Sequence, residues 1–174
     1  WMYYKPAIFG VIAVIALIFG IKDYYEQSKI KTVLSMTVVN SMANDTETPE
    51  QKIKETLGYK DDPYSKVEIG VNLTTDSEMA VQHPAGSIDI MVMPEKLYQT
   101  LKKNEPFADL KELMGEEAFE KSGMQTDTTH ISITDSELEQ ELGVIYDPVC
   151  IAVPYSAPNQ ENAVKWIKSL DSRK

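Results

Sequence analysis

Few side chains in this sequence have the type and spacing that chemistry demands. There is one cysteine, Cys150, and there are two histidines, His83 and His130. One thiol cannot close an intramolecular disulfide, and one Cys with two isolated His offers no recognisable zinc spacing. No metal site and no cofactor are therefore expected. Cys150 sits inside the apolar run Val149–Val153 and reads as a small buried hydrophobe rather than a nucleophile. His83 precedes Pro84, and His130 follows Thr128 and Thr129; both read as solvated loop histidines. The Gly-x-Ser-x-Gly elbow, the His-Glu-x-x-His pair and the glycine-rich phosphate loop are absent, so no catalytic residue is assigned and the chain reads as a non-enzyme. Asp89, inside the apolar run Ile88–Met93, is the most unusual acid. It contacts a ligand or accepts a proton, or it faces outward or caps a backbone group. A buried carboxylate without a partner is costly or neutralised.

Other polar groups stand at the ends of predicted strands. Asn40 and Ser41 end the first, Thr74 and Thr75 the second, and Pro94 and Glu95 the third. Short hydroxyl and amide groups there suit a small polar ligand, or serve as ordinary loop and cap residues.

These residues need elements to hold them. Thr32–Val39 is β-branched and apolar, a first strand. Thr48-Pro49-Glu50-Gln51 predicts a helix start with Thr48 as cap, ending near Leu57 before Gly58. Val67, Ile69, Val71 and Leu73 alternate with polar or small residues, as in a half-exposed strand near an edge. Ile88–Met93 is a buried strand, and Pro94 opens a helix carrying Leu97, Tyr98 and Leu101. Ile131 and Ile133 mark a brief strand. A capping pattern at Thr134–Glu137 opens a helix that Gly143 closes. Val149–Val153 is a last strand, and Gln160–Leu170 an amphipathic helix with Ala163, Trp166, Ile167 and Leu170 on one face. Strands alternating with helices predict an α/β fold: a mostly parallel open sheet with flanking helices.

Ahead of this domain, Pro6–Ile21 holds no charged or polar side chain, and tyrosine pairs flank it. Counted from Trp1, it approaches the ~20 residues that span a bilayer, and no small-x-small cleavage site follows. The expected organisation is a transmembrane anchor over 1–22, a juxtamembrane linker over 23–30 and one α/β domain over 31–174. Lys22, Lys29 and Lys31 after the span outnumber Lys5 before it, which alone would place the domain in the cytoplasm. The net charge of −10, from 17 basic and 27 acidic residues, argues against nucleic acid as a partner.

Two stretches carry a resemblance. Ala85-Gly86-Ser87-Ile88-Asp89-Ile90-Met91-Val92, a helix, and then Phe107-Ala108-Asp109-Leu110 resemble the solute-binding proteins of ABC transporters. So do Val149–Val153 and the following Asn159-Gln160-Glu161-Asn162-Ala163. With Tyr3-Tyr4-Lys5 before the apolar stretch, the chain is similar to small membrane-anchored proteins of Gram-positive bacteria that carry such a domain. The resemblance implies a single lobe of the periplasmic-binding-protein-like (class II) kind, since the length suffices for one lobe and not two. It also implies a cell-membrane location with the domain outside. Open sheets of this order bind at the carboxyl ends of the strands, between the first and third. The candidate ligand residues are therefore Asn40, Ser41, Thr74, Thr75 and Glu95. Two functions follow as expectations. One is a membrane-anchored extracytoplasmic module that binds a small polar ligand. The other is an interaction domain that docks on another membrane protein, its crevice vestigial.

Overall fold

The computed structural model of the protein describes residues 4–43, 45–72, 87–104, 106–121, 127–134 and 136–170. The chain divides into two compact units, Trp1–Lys31 and Thr32–Lys174.

The first unit is helix α1 (Tyr4–Gln27), which continues past Lys22 through most of the expected linker. The expectation of a membrane anchor does not hold. Among the described residues, no helix is long and apolar enough to cross a membrane. Length supplies a physical reason. The charge-free run Pro6–Ile21 is 16 residues, about 24 Å of helix against a hydrocarbon core of ~30 Å. The transmembrane-helix and signal-anchor assignments are corrected accordingly.

The second unit is entered through β1 (Lys31–Val39) and continues with α2 (Glu47–Thr56), β2 (Ser65–Asn72), β3 (Ile90–Pro94) and α3 (Glu95–Leu101). Then come α4 (Leu110–Met114), α5 (Glu116–Lys121), β4 (His130–Ile133), α6 (Ser136–Leu142), β5 (Val149–Ala152) and α7 (Gln160–Leu170). The five strands form one sheet in the order β2-β1-β3-β5-β4. β1 and β3 are parallel, with Met36 opposite Ile90 and Val38 opposite Val92. β5 runs antiparallel to both β3 and β4. The sheet is therefore mixed and not mostly parallel. A helix between two strands suggests a crossover, but the connection holding α6 folds straight back, so that β5 pairs antiparallel with the strand before it.

The central strands alternate between two packed faces, whereas β2 packs one face only, with Lys66 and Gly70 exposed. On one, Leu34, Met36, Val38, Ile90, Val92, Val149 and Ile151 meet α2, α4, α6 and α7 in the larger core. The predicted α7 stripe is buried as expected, with Trp166 1% exposed. On the other face Val39, Met91, Met93, Cys150 and Ala152 pack beneath Tyr98 and Leu101 of α3. β2 is an edge strand, as its alternation predicts. The start of α2 differs from expectation. Thr46, not Thr48, holds the N-cap position and makes no side-chain cap bond; Asp45, one residue earlier, accepts from Glu47 N (2.8 Å) and from the Thr48 hydroxyl (2.8 Å).

Candidate functional site

The two ends of β3 carry the two notable carboxylates. Asp89 lies just before the strand and is fully buried. Its Oδ2 accepts from Ser35 N (2.8 Å) and Asn159 Nδ2 (3.0 Å), and its Oδ1 from Asn159 N (2.6 Å). Asp89 N in turn donates to Ser35 O. The carboxylate thus ties β1, the entry to β3 and the start of α7 together, and its charge faces the positive end of the α7 dipole. Asn162 Nδ2 adds a bond to Val33 O (2.8 Å). The Asp89 and Asn159 motifs are two halves of one internal joint.

At the other end, Glu95 opens α3. Its Oε1 accepts from Gln99 Nε2 (2.7 Å), one turn on. Its Oε2 is directed inward, 3.2 Å from His130 Nε2. That contact lacks hydrogen-bond geometry, and among the described residues neither the buried Glu95 Oε2 nor the buried His130 Nδ1 has a hydrogen-bond partner. Cys150 completes a group of three: one ligand atom from each of Glu95, His130 and Cys150 lies within 4.8 Å of the other two. The sheet sets this up. His130 is opposite Ala152, and Ser132 is opposite Cys150, so His130 and Cys150 are diagonal neighbours on one face of adjacent strands.

A second ring of polar groups supports the first. Asp127 Oδ2 lies 3.6 Å from His130 Nδ1. Asp127 also pairs with Lys102, accepts from Tyr98 OH (3.0 Å), and accepts from Thr129 N (3.0 Å) and Thr129 Oγ1 (2.7 Å). The Tyr98 ring packs against His130, tilted by 37° with centroids 4.1 Å apart. Burial alone would raise the Asp127 pKa, but the bonds from Lys102, Thr129 and Tyr98 outweigh it and hold the carboxyl well below its ordinary range. Burial pushes the Cys150 thiol strongly up, and the neighbouring Glu95 and Asp127 push it the same way. A fully buried, protonated thiol is a poor nucleophile. What the arrangement can do is donate electron pairs: a carboxylate, an imidazole and a thiol converge on one point.

Of the residues expected to contact a ligand, Glu95 belongs to this cluster. Asn40 ends β1 with a left-handed backbone (φ 53°), a conformation Asn tolerates. Continuing the β1–β3 register by two residues sets it level with Pro94. Ser41 is fully buried and its hydroxyl is engaged. It donates to Leu142 O (2.6 Å), accepts from Ala43 N (3.1 Å), and its backbone bridges Val144. Thr74, Thr75 and His83 lie outside the described residues.

His130 corrects the sequence reading. It is 6% exposed and lies in β4, not in a solvated loop. Cys150 is buried as expected, yet it has polar company that a simple hydrophobe would not keep. A signal was present for both. In His130–Ile133 and Val149–Val153 the isoleucines and valines alternate with His130, Ser132, Cys150 and Ala152, which puts the latter four on the opposite face of their strands. Strand register, which the sequence does not reveal, brings them together. Compared with protein-family models, curated proteins and solved structures, the chain matches none of them.

Proposed function

We propose that residues 32–174 form a non-catalytic binding module that takes a small polar ligand at the carboxyl end of β3. The observation that carries this reading is the pair of buried, unsatisfied polar atoms, Glu95 Oε2 and His130 Nδ1. Buried polar groups in folded proteins nearly always have partners, so a site that leaves two of them turned towards each other's cluster is built for something else to complete. Position supports it too. Glu95 stands at the carboxyl end of β3, whose parallel pairing with β1 marks the place where open α/β sheets bind ligands, while His130 and Cys150 reach it from β4 and β5 on the face that α3 covers. The same adjacency is what the resemblance to one solute-binding lobe implies, and that lobe remains the fold analogy behind the proposal.

A thermal-shift screen of the full chain tests it, using amino acids, sugars, short peptides and divalent cations. A saturable stabilisation that Glu95→Gln weakens at least tenfold in apparent affinity supports binding at this cluster. No stabilisation by any member overturns it. A protein partner that co-purifies regardless of Glu95 would then move the assignment to an interaction domain.

A further inference from the structure

We infer that Glu95, His130 and Cys150 form a binding site for a divalent transition metal of the zinc class. The inference rests on reading this cluster as the binding site, and it names the class of ligand.

Geometry carries it. Around a tetrahedral zinc, with bonds of ~2.0–2.3 Å, ligand atoms lie roughly 3.3–3.8 Å apart. Glu95 Oε2 and His130 Nε2 are already 3.2 Å apart. The group as a whole lies within 4.8 Å. Closing the remaining gap takes a shift of about 1 Å at most, within the reach of side-chain adjustment by the partly exposed Glu95 (37%). Paired strands hold His130 and Cys150 beside each other as diagonal neighbours.

Donor chemistry selects the ion. Thiolate and imidazole favour zinc-class metals, whereas calcium and magnesium want sets of oxygens. On binding, the metal takes an electron pair from each of Glu95, His130 and Cys150. The Cys150 S–H bond breaks, and its proton leaves to solvent. One carboxylate, one thiolate and a neutral imidazole then balance a dication, so the buried complex carries no net charge. Three protein ligands leave the fourth position open, as in sites that keep a water or a bound solute.

The supporting ring fits as well. Metal-bound histidines commonly present their other ring nitrogen to a carboxylate, and that carboxylate is itself held in place. His130 Nδ1 faces Asp127 at 3.6 Å, and Lys102, Tyr98 and Thr129 fix Asp127. Gln99 orients Glu95 from the far side. This assembly also explains why the two buried atoms are unsatisfied: in the metal-bound protein, Glu95 Oε2 is a ligand and His130 Nδ1 donates to Asp127.

The test uses the full chain stripped with a chelator and then titrated with Zn2+ and, separately, Co2+. Expected are uptake of one ion per chain, a rise in Tm with Zn2+, and a thiolate-to-cobalt charge-transfer band in the near ultraviolet. Cys150→Ser removes that band. Glu95→Gln lowers Zn2+ affinity at least tenfold and, because the side chain is partly exposed, keeps the result interpretable should Cys150→Ser fail to fold. Asp127→Asn lowers affinity roughly 10–100-fold. The inference is overturned if the chain takes up no Zn2+, or if Co2+ binds without a thiolate band and indifferently to Glu95→Gln. If Zn2+ fails while an organic solute stabilises the chain in a Glu95-dependent way, the metal falls and the binding reading stands. If neither acts, both fall.

Discussion

Asp89 and Glu95 flank the same five-residue strand, and their surroundings are opposites. Asp89 is fully buried and accepts three hydrogen bonds, two of them from backbone amides. Glu95 is partly exposed, yet one of its oxygens is buried with no hydrogen-bond partner among the described residues. Burial alone would have pointed to Asp89 as the functional acid. Counting lone pairs points to Glu95. Three of the roughly four acceptor sites of Asp89 are filled by the fold, whereas the buried oxygen of Glu95 accepts no hydrogen bond from any described residue and faces an imidazole.

The widest gap between the two ends of β3 should appear on deleting Asp89. Asp89→Ala leaves Ser35 N and Asn159 N without their acceptor, each buried donor costing about 1–3 kcal/mol, so about 2–6 kcal/mol in all. Urea unfolding of the purified chain measures it, and a loss below about 1 kcal/mol would break the contrast at its structural end. Ser41 extends the same rule to a residue first expected at the ligand crevice. Its hydroxyl is saturated, and the loop it anchors is tight: a Cβ on Gly143 (φ +63°) would fall 2.5 Å from Ala43 N. Ser41→Ala should therefore cost about 1–3 kcal/mol and leave ligand affinity unchanged. Unchanged stability with weakened binding would return Ser41 to the site.

Much of this fold was legible in the sequence, because hydrophobic period and helix punctuation are local. The α7 stripe, the edge alternation of β2 and the stop at Gly58 all follow from neighbours in sequence. The direction of β5 did not follow. A helix-bearing connection is compatible with either direction of the next strand, and only pairing decides. The candidate site failed to show for the same reason. Glu95, His130 and Cys150 are 35 and 20 residues apart in sequence, a spacing that no short motif covers. They meet because β5 lies between β3 and β4. Asp89 stands out in the sequence because one polar residue in an apolar run is a local anomaly. Its role emerged only with Asn159 beside it.

Asp127 gives a smaller effect that sharpens the support for His130. Its pKa is depressed in the folded chain below the ordinary value of 3.8. The stability it contributes is therefore fully present above about pH 4 and is lost as pH falls through the folded-state value. Asp127→Asn should remove about 1 kcal/mol at neutral pH and flatten the decline of stability below pH 4. Urea midpoints for both proteins between about pH 2 and 6 give the comparison. Parallel curves would mean that the Lys102–Tyr98–Thr129 ring does not stabilise the charged carboxylate.

The smallest effect is the most telling. In metal-free protein, Glu95→Gln should change stability by no more than about 0.5 kcal/mol. The amide keeps an oxygen for Gln99, and among the described residues the buried Oε2 accepts no hydrogen bond that the change would break, although His130 Nε2 stands 3.2 Å from it. The variant should also lower the pKa of the Cys150 thiol. Burial, the larger cause of the elevation, remains, but the neighbouring negative charge is gone. Ultraviolet absorbance of the thiolate during an alkaline titration reads that shift. Were Glu95→Gln to cost as much as Asp89→Ala, Glu95 would be a second structural staple, and the two ends of β3 would differ only in how much water they see.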